Sequence, residues 1–477
     1  MNRKLTRRQF MRYSAAAGLG GLISTGGCQR NSLRERPVKR PHIVMFISDD
    51  HGIEYLGCYG NPDIQTPNID ALARDGMKFT NMYAASATCA PSRSVLWTGL
   101  YPAHNGCMKN HTVCRSDIKA LPSYLRTRGY RVVLVNKFHA KPKEVFDFEY
   151  VKATLPRNPA HRRRYRREGL DTKAVERLLA DHVQNQGDSP LCLIMADSSP
   201  HVTWEPNKIY DPATLKLPPS IVDTPITRKA MANYFQDITT MDKNVGAVRA
   251  MLEKNGIAED TLFIYTTDQG AEWPKAKWTL YDSGIHVPFL AVWPRVIPGG
   301  TVCNALASFV DITPTFIDTA GGQPPAGLDG KSFLPVLLGR TKTFREAIYA
   351  SHTADGTMNV FPQRCVRNAR YKYILNLKPE NRWTTHFTKV PGIPESHKNV
   401  WDSWVEKGKA DPQAARLVQL IERHPAEELY DTRNDPYELN NLAATAEMKS
   451  TVEHLRAQLK DWLVTQGESF PDHLNTG

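Results

Sequence analysis

Two acidic pairs in this sequence each stand at the end of a short apolar run. Asp49 and Asp50 close "HIVMFISDDHG", and Asp268 and Gln269 close "TLFIYTTDQG". Three carboxylates and an amide oxygen gathered at one place repel each other unless a cation sits among them. An all-oxygen donor set selects a hard ion, Ca²⁺ or Mg²⁺, over zinc. Either pair alone is as readily a turn or a helix cap. Their repetition after two similar apolar runs makes Asp49, Asp50, Asp268 and Gln269 candidate metal ligands. A third stretch, "ATCAPSRSVLWTG" (87–99), sets Cys89 before Pro91, Ser92 and Arg93, where a helix is expected over 92–99. The free backbone N–H groups of a first helical turn suit an anion. A lone cysteine is ordinarily a buried structural thiol, so this placement asks for a chemical reason.

The elements that must position these residues alternate. "HIVMFIS" (42–48), "RVVLVN" (131–136), "LCLIMA" (191–196), "TLFIYTT" (261–267) and "VPFLAVW" (287–293) read as central parallel strands, apolar and rich in branched residues. Between them lie helical patterns. "TPNIDALARDG" has Thr66 at the cap, Pro67 in the first turn and Gly76 at the stop. A longer helix over about 225–254 puts Met231, Phe235, Ile238, Met241, Val245, Val248 and Leu252 on one core-facing stripe. The alternation implies an α/β fold, a large mostly parallel sheet sandwiched by helices. Ligand sites in such sheets lie at the carboxyl ends of the strands, where both acidic pairs fall. The texture changes after about residue 340, to short segments ("REAIYASH", "RYKYILNL"), Pro/Trp-rich loops and a helix near 447–464. This reads as a catalytic domain over 41–340 and a smaller α+β domain with an antiparallel sheet over 341–477.

Residues 1–27 carry Arg7-Arg8, a weakly apolar Gly/Ala-rich run and small residues before Cys28. That is the pattern of a signal segment of the twin-arginine type, followed by a linker over 28–40. The expectation is export, to the periplasm or as an outer-membrane or cell-surface lipoprotein anchored at Cys28. The whole chain carries a net charge of +12. Removing Arg3, Lys4, Arg7, Arg8 and Arg12, with no acid lost, leaves +7. A basic run, "HRRRYRR" (161–167), contributes to the excess, which suits a polyanion as well as a plain solvated helix face. No nucleic-acid-binding motif accompanies it, so nucleic acid is not an expected partner. Eight cysteines in 477 residues are not a disulfide framework. Cys107 and Cys114 are close enough in sequence to pair; Cys58, Cys192, Cys303 and Cys365 read as buried small apolar residues.

Taken together, these residues resemble the sulfatase family of the alkaline-phosphatase superfamily. Cys89-Ala90-Pro91-Ser92-Arg93 matches the signature whose cysteine is oxidised after translation to formylglycine. "GYRVVLVNKFH" (129–139) matches the second signature, with Asn136 where glycine is usual. The likeness continues through Ser199-Pro200-His201, "KWTLYDSGIHVP" (277–288) and "ELYDTRNDPYELNNLA" (428–443). The resemblance implies an alkaline-phosphatase-like sheet, a Cys89-derived formylglycine, one Ca²⁺ and a formylglycine-generating enzyme as maturation partner. Asp49, Asp50, Asp268 and Gln269 would hold the ion with residue 89 as a further ligand; Gln269 stands where asparagine or histidine is usual. Arg93 and Lys137 would orient the hydrated aldehyde and the sulfate. Lys277 and His201 would face the bridging atom, His201 as general acid, and His139 would be the base that lets the second hydroxyl expel sulfate.

"PKEVFDFEY" (142–150), "ADGTMNVFPQRCVRNARYKYILNL" (354–377) and "EELYDTRNDP" (427–436) resemble the sulfamidase branch, the N-sulfoglucosamine sulfohydrolases. That implies a sulfated oligosaccharide substrate, N-sulfoglucosamine of heparan or heparin fragments, with Asp355 and Arg364 contacting the sugar. Lys277 stands where that branch has arginine. Two other readings share the fold: a phosphonate monoester or phosphodiester hydrolase, and a polysaccharide-binding protein without turnover. An O-sulfatase acting on another glycan, and a homodimer, also remain open at this point.

Overall fold

The computed structural model describes residues 40–152, 169–187, 189–356, 358–389 and 398–471. The signal segment, Cys28 and the basic run 161–167 lie outside the described residues.

Among the described residues, fourteen strands form three sheets. They are β1 (His42–Ser48), β2 (Met77–Phe79), β3 (Met82–Tyr83), β4 (Arg131–Asn136), β5 (Glu149–Val151), β6 (Leu191–Ala196), β7 (Thr261–Thr267), β8 (Phe289–Val292), β9 (Thr301–Cys303), β10 (Ala307–Ser308), β11 (Ala347–His352), β12 (Gln363–Asn368), β13 (Tyr371–Asn376) and β14 (Glu427–Asp431). The main sheet runs β5-β4-β6-β1-β7-β8-β2-β9. All its pairings are parallel except those of β8 with β7 and β2. Four of the expected strands have the expected ends. The fifth is shorter and antiparallel, beginning just after Pro288, which has no N–H to give a ladder.

β6 is wholly apolar and β1 and β7 are apolar through their middles (43–47 and 262–265), and every residue of the three is buried. Full burial of side chains such as Phe46, Ile194 and Ile264, each with no exposed surface, contributes about 1.5–3 kcal/mol apiece. The long helix forms over Pro225–Lys254 with Thr224 capping Thr227, and all seven residues of its expected stripe are buried. The helix Pro67–Asp75 also forms, but Thr66 does not cap it. Its hydroxyl accepts from Gly57 N–H and donates to Asp70, while Asp242 from the long helix takes the first-turn N–H groups of Asn68 and Ile69.

The second sheet, β11-β12-β13-β14, is antiparallel throughout, and the helix Lys449–Thr465 packs on β12 and β13. Cys192, Cys303 and Cys365 are buried as expected, whereas Cys58 is half-buried. Cys107 and Cys114 are free thiols that lie against each other, and this contact lowers the Cys107 thiol to about 7. No helix among the described residues is long and apolar enough to cross a membrane.

Candidate active site

The carboxyl ends of β1, β4, β6 and β7 meet along one edge, and backbone hydrogen bonds continue beyond the strands to fix the loops there. Ser48 and Thr267 are paired in register, and Asp268 N–H then donates to Ser48 O at 3.2 Å. Asp49 N–H donates to Ser199 O at 3.0 Å, and Lys137 N–H to Ala196 O at 3.2 Å. Four short loops therefore bring Asp49/Asp50, Lys137/His139, His201 and Asp268/Gln269 to one place. Asp50 takes a left-handed backbone (φ 64°), a cost that Asp tolerates better than most residues. Gly270 is required by space: a Cβ there would meet Ser283 O at 1.8 Å.

The helix carrying the nucleophile candidate spans Cys89–Thr98, so Cys89 opens it, three residues before the expected start. Thr88 supplies no side-chain cap. Asn110, from a separate loop, accepts Ala90 N–H at 3.1 Å in its place. Ser92 Oγ donates to Asp268 O, and Arg93 Nε donates to Asp268 Oδ2 at 2.9 Å. Arg93 is fully buried, and its Nη2 has no hydrogen-bond partner and lies 3.8 Å from Asp49 Oδ2. An unpaired buried guanidinium N–H is costly unless an anion takes it up.

Around Cys89 Sγ lie Asp49 Oδ1 at 3.7 Å and Gln269 Nε2 at 3.2 Å. Lys137 Nζ donates to Asp49 Oδ2, and Gln269 Nε2 donates to Asp50 Oδ1. Lys277 Nζ bridges Asp50 Oδ2 at 2.6 Å and Glu272 Oε2 at 2.9 Å. His201 Nε2 is 3.6 Å from Asp50 Oδ2 and 3.7 Å from Glu272 Oε2, and its Nδ1 lies 2.8 Å from Val202 O. His139 Nε2 is 3.0 Å from Nδ1 of His111, and His139 Nδ1 is buried without a partner.

Burial drives the titration here. It raises Cys89 well above the ordinary thiol range despite Lys137, so the group is a neutral thiol and a poor nucleophile. Burial also acts to raise Asp49, but Lys137, His201, Arg93 and Lys277 outweigh it and hold that carboxyl far below the usual range. Asp50 and Asp268 are raised, by burial first. Burial and Lys277 push His201 down to about 4, and burial with Lys137 lowers His139 further. Lys277 stays charged because Asp50 and Glu272 overcome its burial.

The donor set fits a hard cation. Oxygens of Asp49, Asp50 and Asp268 lie within 4.8 Å of one another, all three residues fully buried. Gln269 turns its Nε2 to Asp50 Oδ1 and Cys89 Sγ, and its Oε1 is buried with no hydrogen-bond partner, an orphaned acceptor of the kind a cation satisfies once the amide is turned.

The structure thus brings together Asp49, Asp50, Cys89, Arg93, Lys137, His139, His201, Asp268, Gln269 and Lys277. It does not bring Arg364 to them. Arg364 is buried on β12, its donors taken by Glu468 and by the carbonyls of His352 and Gln363. Arg364→Ala should therefore cost stability, about 3 kcal/mol as for a broken buried ion pair, and leave KM unchanged; thermal unfolding and steady-state kinetics check this. Asp355 lies at the edge of the site, but its carboxylate faces protein: Oδ2 accepts from Trp278 Nε1 at 2.8 Å and Oδ1 is 3.6 Å from His111 Nε2. Three residues at the site escaped the sequence reading: Asn110, His111 and Glu272. Glu272, three residues beyond Gln269, carries a signal in its position. Asn110 and His111 are linked to the centre only through space. A separate cavity of about 430 Å³, lined by Arg367, Asp282, His286, Glu438 and Glu54 among others, shares none of the residues above.

The family model of the sulfatases matches residues 41–322, more than half of the chain. The chain belongs to the sulfatase family. A second family model, the C-terminal part of N-sulphoglucosamine sulphohydrolase, matches residues 273–407. An ulvan-active sulfatase of Formosa agariphila is 33% identical over 441 residues, covering 91% of this chain and 82% of the relative. Human N-sulphoglucosamine sulphohydrolase is 27% identical, covering 88% of this chain and 89% of its own. A protein solved with its substrate D-glucosamine-2-N,6-O-disulfate superposes with a TM-score of 0.66 at 21% identity, covering 92% of this chain and all of that one. The sulfatase likeness explains Asn136. It has φ 77°, a left-handed backbone in which the family's usual glycine is free and asparagine is tolerated.

Proposed function

We propose that this sulfatase, exported after synthesis, hydrolyses the N-sulfate of glucosamine in heparan-type fragments, using formylglycine made from Cys89 by a formylglycine-generating enzyme and one Ca²⁺. The arrangement that carries the reading is Cys89 at a helix start, ringed by three buried carboxylates and by Arg93, Lys137 and Lys277. Ca²⁺ held by Asp49, Asp50, Asp268 and Gln269 would supply positive charge for the sulfate oxygens and make the attacking hydroxyl more acidic. A hydrated aldehyde at position 89 would offer two hydroxyls, one to attack sulfur and one to expel sulfate afterwards.

The chain's own residues do the rest. Arg93 Nη2 and Lys137 Nζ bind the anionic oxygens. Lys277, which stays charged beside Asp50 and Glu272, protonates the leaving atom as its bond to sulfur breaks, and His201 joins it as general acid once the bound anion raises its hold on a proton. A sulfamate expels an amine, which is too basic to leave without that proton, so a placed acid matters more here than for a phenol. His139 Nδ1 takes the proton of the second hydroxyl. Its O–H electron pair becomes the C=O bond, and the C–O bond to sulfate breaks with its pair on sulfate, which restores the aldehyde.

Two findings support the N-sulfate reading: the C-terminal sulphohydrolase family match over 273–407, and the relative with that activity, covered almost end to end. A second reading, an O-sulfatase acting on ulvan, is favoured by the 33% identical relative. One comparison separates them: initial rates of matured protein on N-sulfoglucosamine, N-acetylglucosamine 6-sulfate and an ulvan oligosaccharide at equal concentration. The sulfamate should be preferred by at least about tenfold, the scale on which pocket contacts discriminate substrates. Preference for ulvan moves the assignment to the second reading and leaves the sulfate chemistry in place.

A further inference from the structure

Glu272 is buried in a loop that the backbone ties to the rest of the centre. Ala271 O accepts Trp273 N–H at 2.8 Å and Lys277 N–H at 2.9 Å, so the chain over 271–277 turns back on itself and brings Glu272 and Lys277 together. Trp278 N–H donates at 2.8 Å to Ala87 O, two residues before Cys89. The Trp273 ring stacks on Trp204 with centroids 5.0 Å apart, and Trp204 Nε1 donates to Pro200 O beside His201. The loop is thereby fixed against both the nucleophile and the loop of His201.

Lys277 Nζ has three N–H groups to give. One goes to Asp50 Oδ2 at 2.6 Å and one to Glu272 Oε2 at 2.9 Å. The same two oxygens lie 3.6 Å and 3.7 Å from His201 Nε2. Asp50, His201 and Glu272 thus have the spacing of a second cation cluster. The ammonium of Lys277 already stands against both carboxylates, and it would repel a metal ion there. The two carboxylates differ in one respect: Asp50 belongs to the donor set of the Ca²⁺ site, and Glu272 does not. An ion held by Asp50 competes with Lys277 for that carboxylate, whereas Glu272 keeps its hold on Lys277 in either state.

We infer that Glu272 is a positioning residue that holds Lys277 on the leaving-atom side of the centre when Asp50 is committed to the cation. This rests on the reading of Lys277 as proton donor to the leaving atom. Glu272 acts through Lys277 and need not touch the substrate. Its removal leaves a long, rotatable side chain tied to Asp50, the carboxylate it must share.

The test uses matured, Ca²⁺-loaded full-length protein and two substitutions at one site. Glu272→Ala removes the anchor, and Glu272→Gln keeps an acceptor oxygen at the same reach. Each is assayed on 4-nitrophenyl sulfate, whose nitrophenolate leaves without a proton. Each is also assayed on whichever of N-sulfoglucosamine, N-acetylglucosamine 6-sulfate and the ulvan oligosaccharide the wild type turns over fastest. On the sugar, Glu272→Ala should lose roughly 10–100-fold in kcat with little change in KM, since a misplacement of about 1 Å can cost 10²-fold. On the aryl sulfate the loss should stay below about threefold, because no acid is needed there. Glu272→Gln should recover most of the loss on the sugar. ¹⁵N spectra of lysine-labelled protein, with the signal assigned by its absence from Lys277→Met, give a readout that needs no turnover. The Lys277 ammonium should be protected from solvent exchange in wild type and Glu272→Gln, and should exchange in Glu272→Ala. An unchanged Lys277 signal in Glu272→Ala overturns the inference, and so does an equal loss on the two sulfates. Lys277→Met tells its failure from that of the underlying reading. Equal loss on both sulfates in Lys277→Met removes the proton-donor reading and the inference with it. Loss confined to the sugar in Lys277→Met but not in Glu272→Ala overturns the inference alone.

Discussion

Cys89→Ala should abolish turnover and leave the fold standing. Cys89 is almost fully buried but small, and its sulfur touches only the polar groups of the site, so its loss opens little apolar cavity. The chemistry has no substitute. Removing a covalent nucleophile typically costs 10⁴-fold or more, about 5.5 kcal/mol of transition-state stabilisation. The same argument covers protein that has not been matured: burial keeps the Cys89 thiol neutral, so it does not attack sulfur in place of the aldehyde. Cys89→Ser is more informative still. A serine hydroxyl can attack once, but it lacks the second hydroxyl whose deprotonation expels sulfate, so the variant should trap one sulfate per chain. Intact mass of the Ser variant after incubation with substrate reads this directly, and the peptide bearing residue 89 of active wild type should react with a hydrazide. Full turnover by protein shown to keep its thiol would remove formylglycine from the account.

Much of this could be read from the sequence because the chemistry follows the sheet. Asp49/Asp50 and Asp268/Gln269 are local signals at the ends of local apolar runs, and the register of β1 with β7 does the rest. The helix of Cys89 began earlier than expected because its cap comes from Asn110, 21 residues along the chain, and not from a neighbour. His111 has no local signature either, whereas Glu272 at least follows Gln269 by three residues. Polar residues near an acidic motif are common, and only the fold decides which of them turn inward. Arg364 erred the other way: an arginine in a family-like stretch, it is consumed by Glu468. A further trace lies in the backbone. Asp50, His111, Asn136, His139 and Trp278, all at or beside the centre, are non-glycine residues with positive φ. Such strain persists where the surrounding structure over-determines it, and it gathers at functional sites. Residue identity alone does not reveal it, except at Asn136, where the departure from glycine shows that the backbone needs the left-handed region.

Chelation should remove activity while moving thermal stability by only a few degrees. Three buried carboxylates with no cation would by themselves make the centre unstable, since a lone buried charge is severely penalised. Here each already has a protein partner: Lys137 for Asp49, Lys277 for Asp50 and Arg93 for Asp268. These side chains would hold the centre together without an ion, so the contribution of a bound Ca²⁺ to stability would be set by mass action alone, about 2.7 kcal/mol at a hundred times Kd. For a chain of this size that is a small shift in Tm. The effect on rate is larger, because the same side chains, when paired among themselves, are not free to receive sulfate. Asp268→Asn should act likewise and more severely. It removes one ligand and leaves Arg93, fully buried, without its 2.9 Å carboxylate partner, so a loss of roughly 10³-fold in kcat is expected. Calorimetric titration of chelated protein with Ca²⁺ should show one site, weakened or lost in Asp268→Asn, and re-addition of Ca²⁺ should restore turnover to the wild type only. Metal-free protein that turns over at the full rate would assign the three carboxylates to holding Lys137, Lys277 and Arg93 in place, and not to a cation.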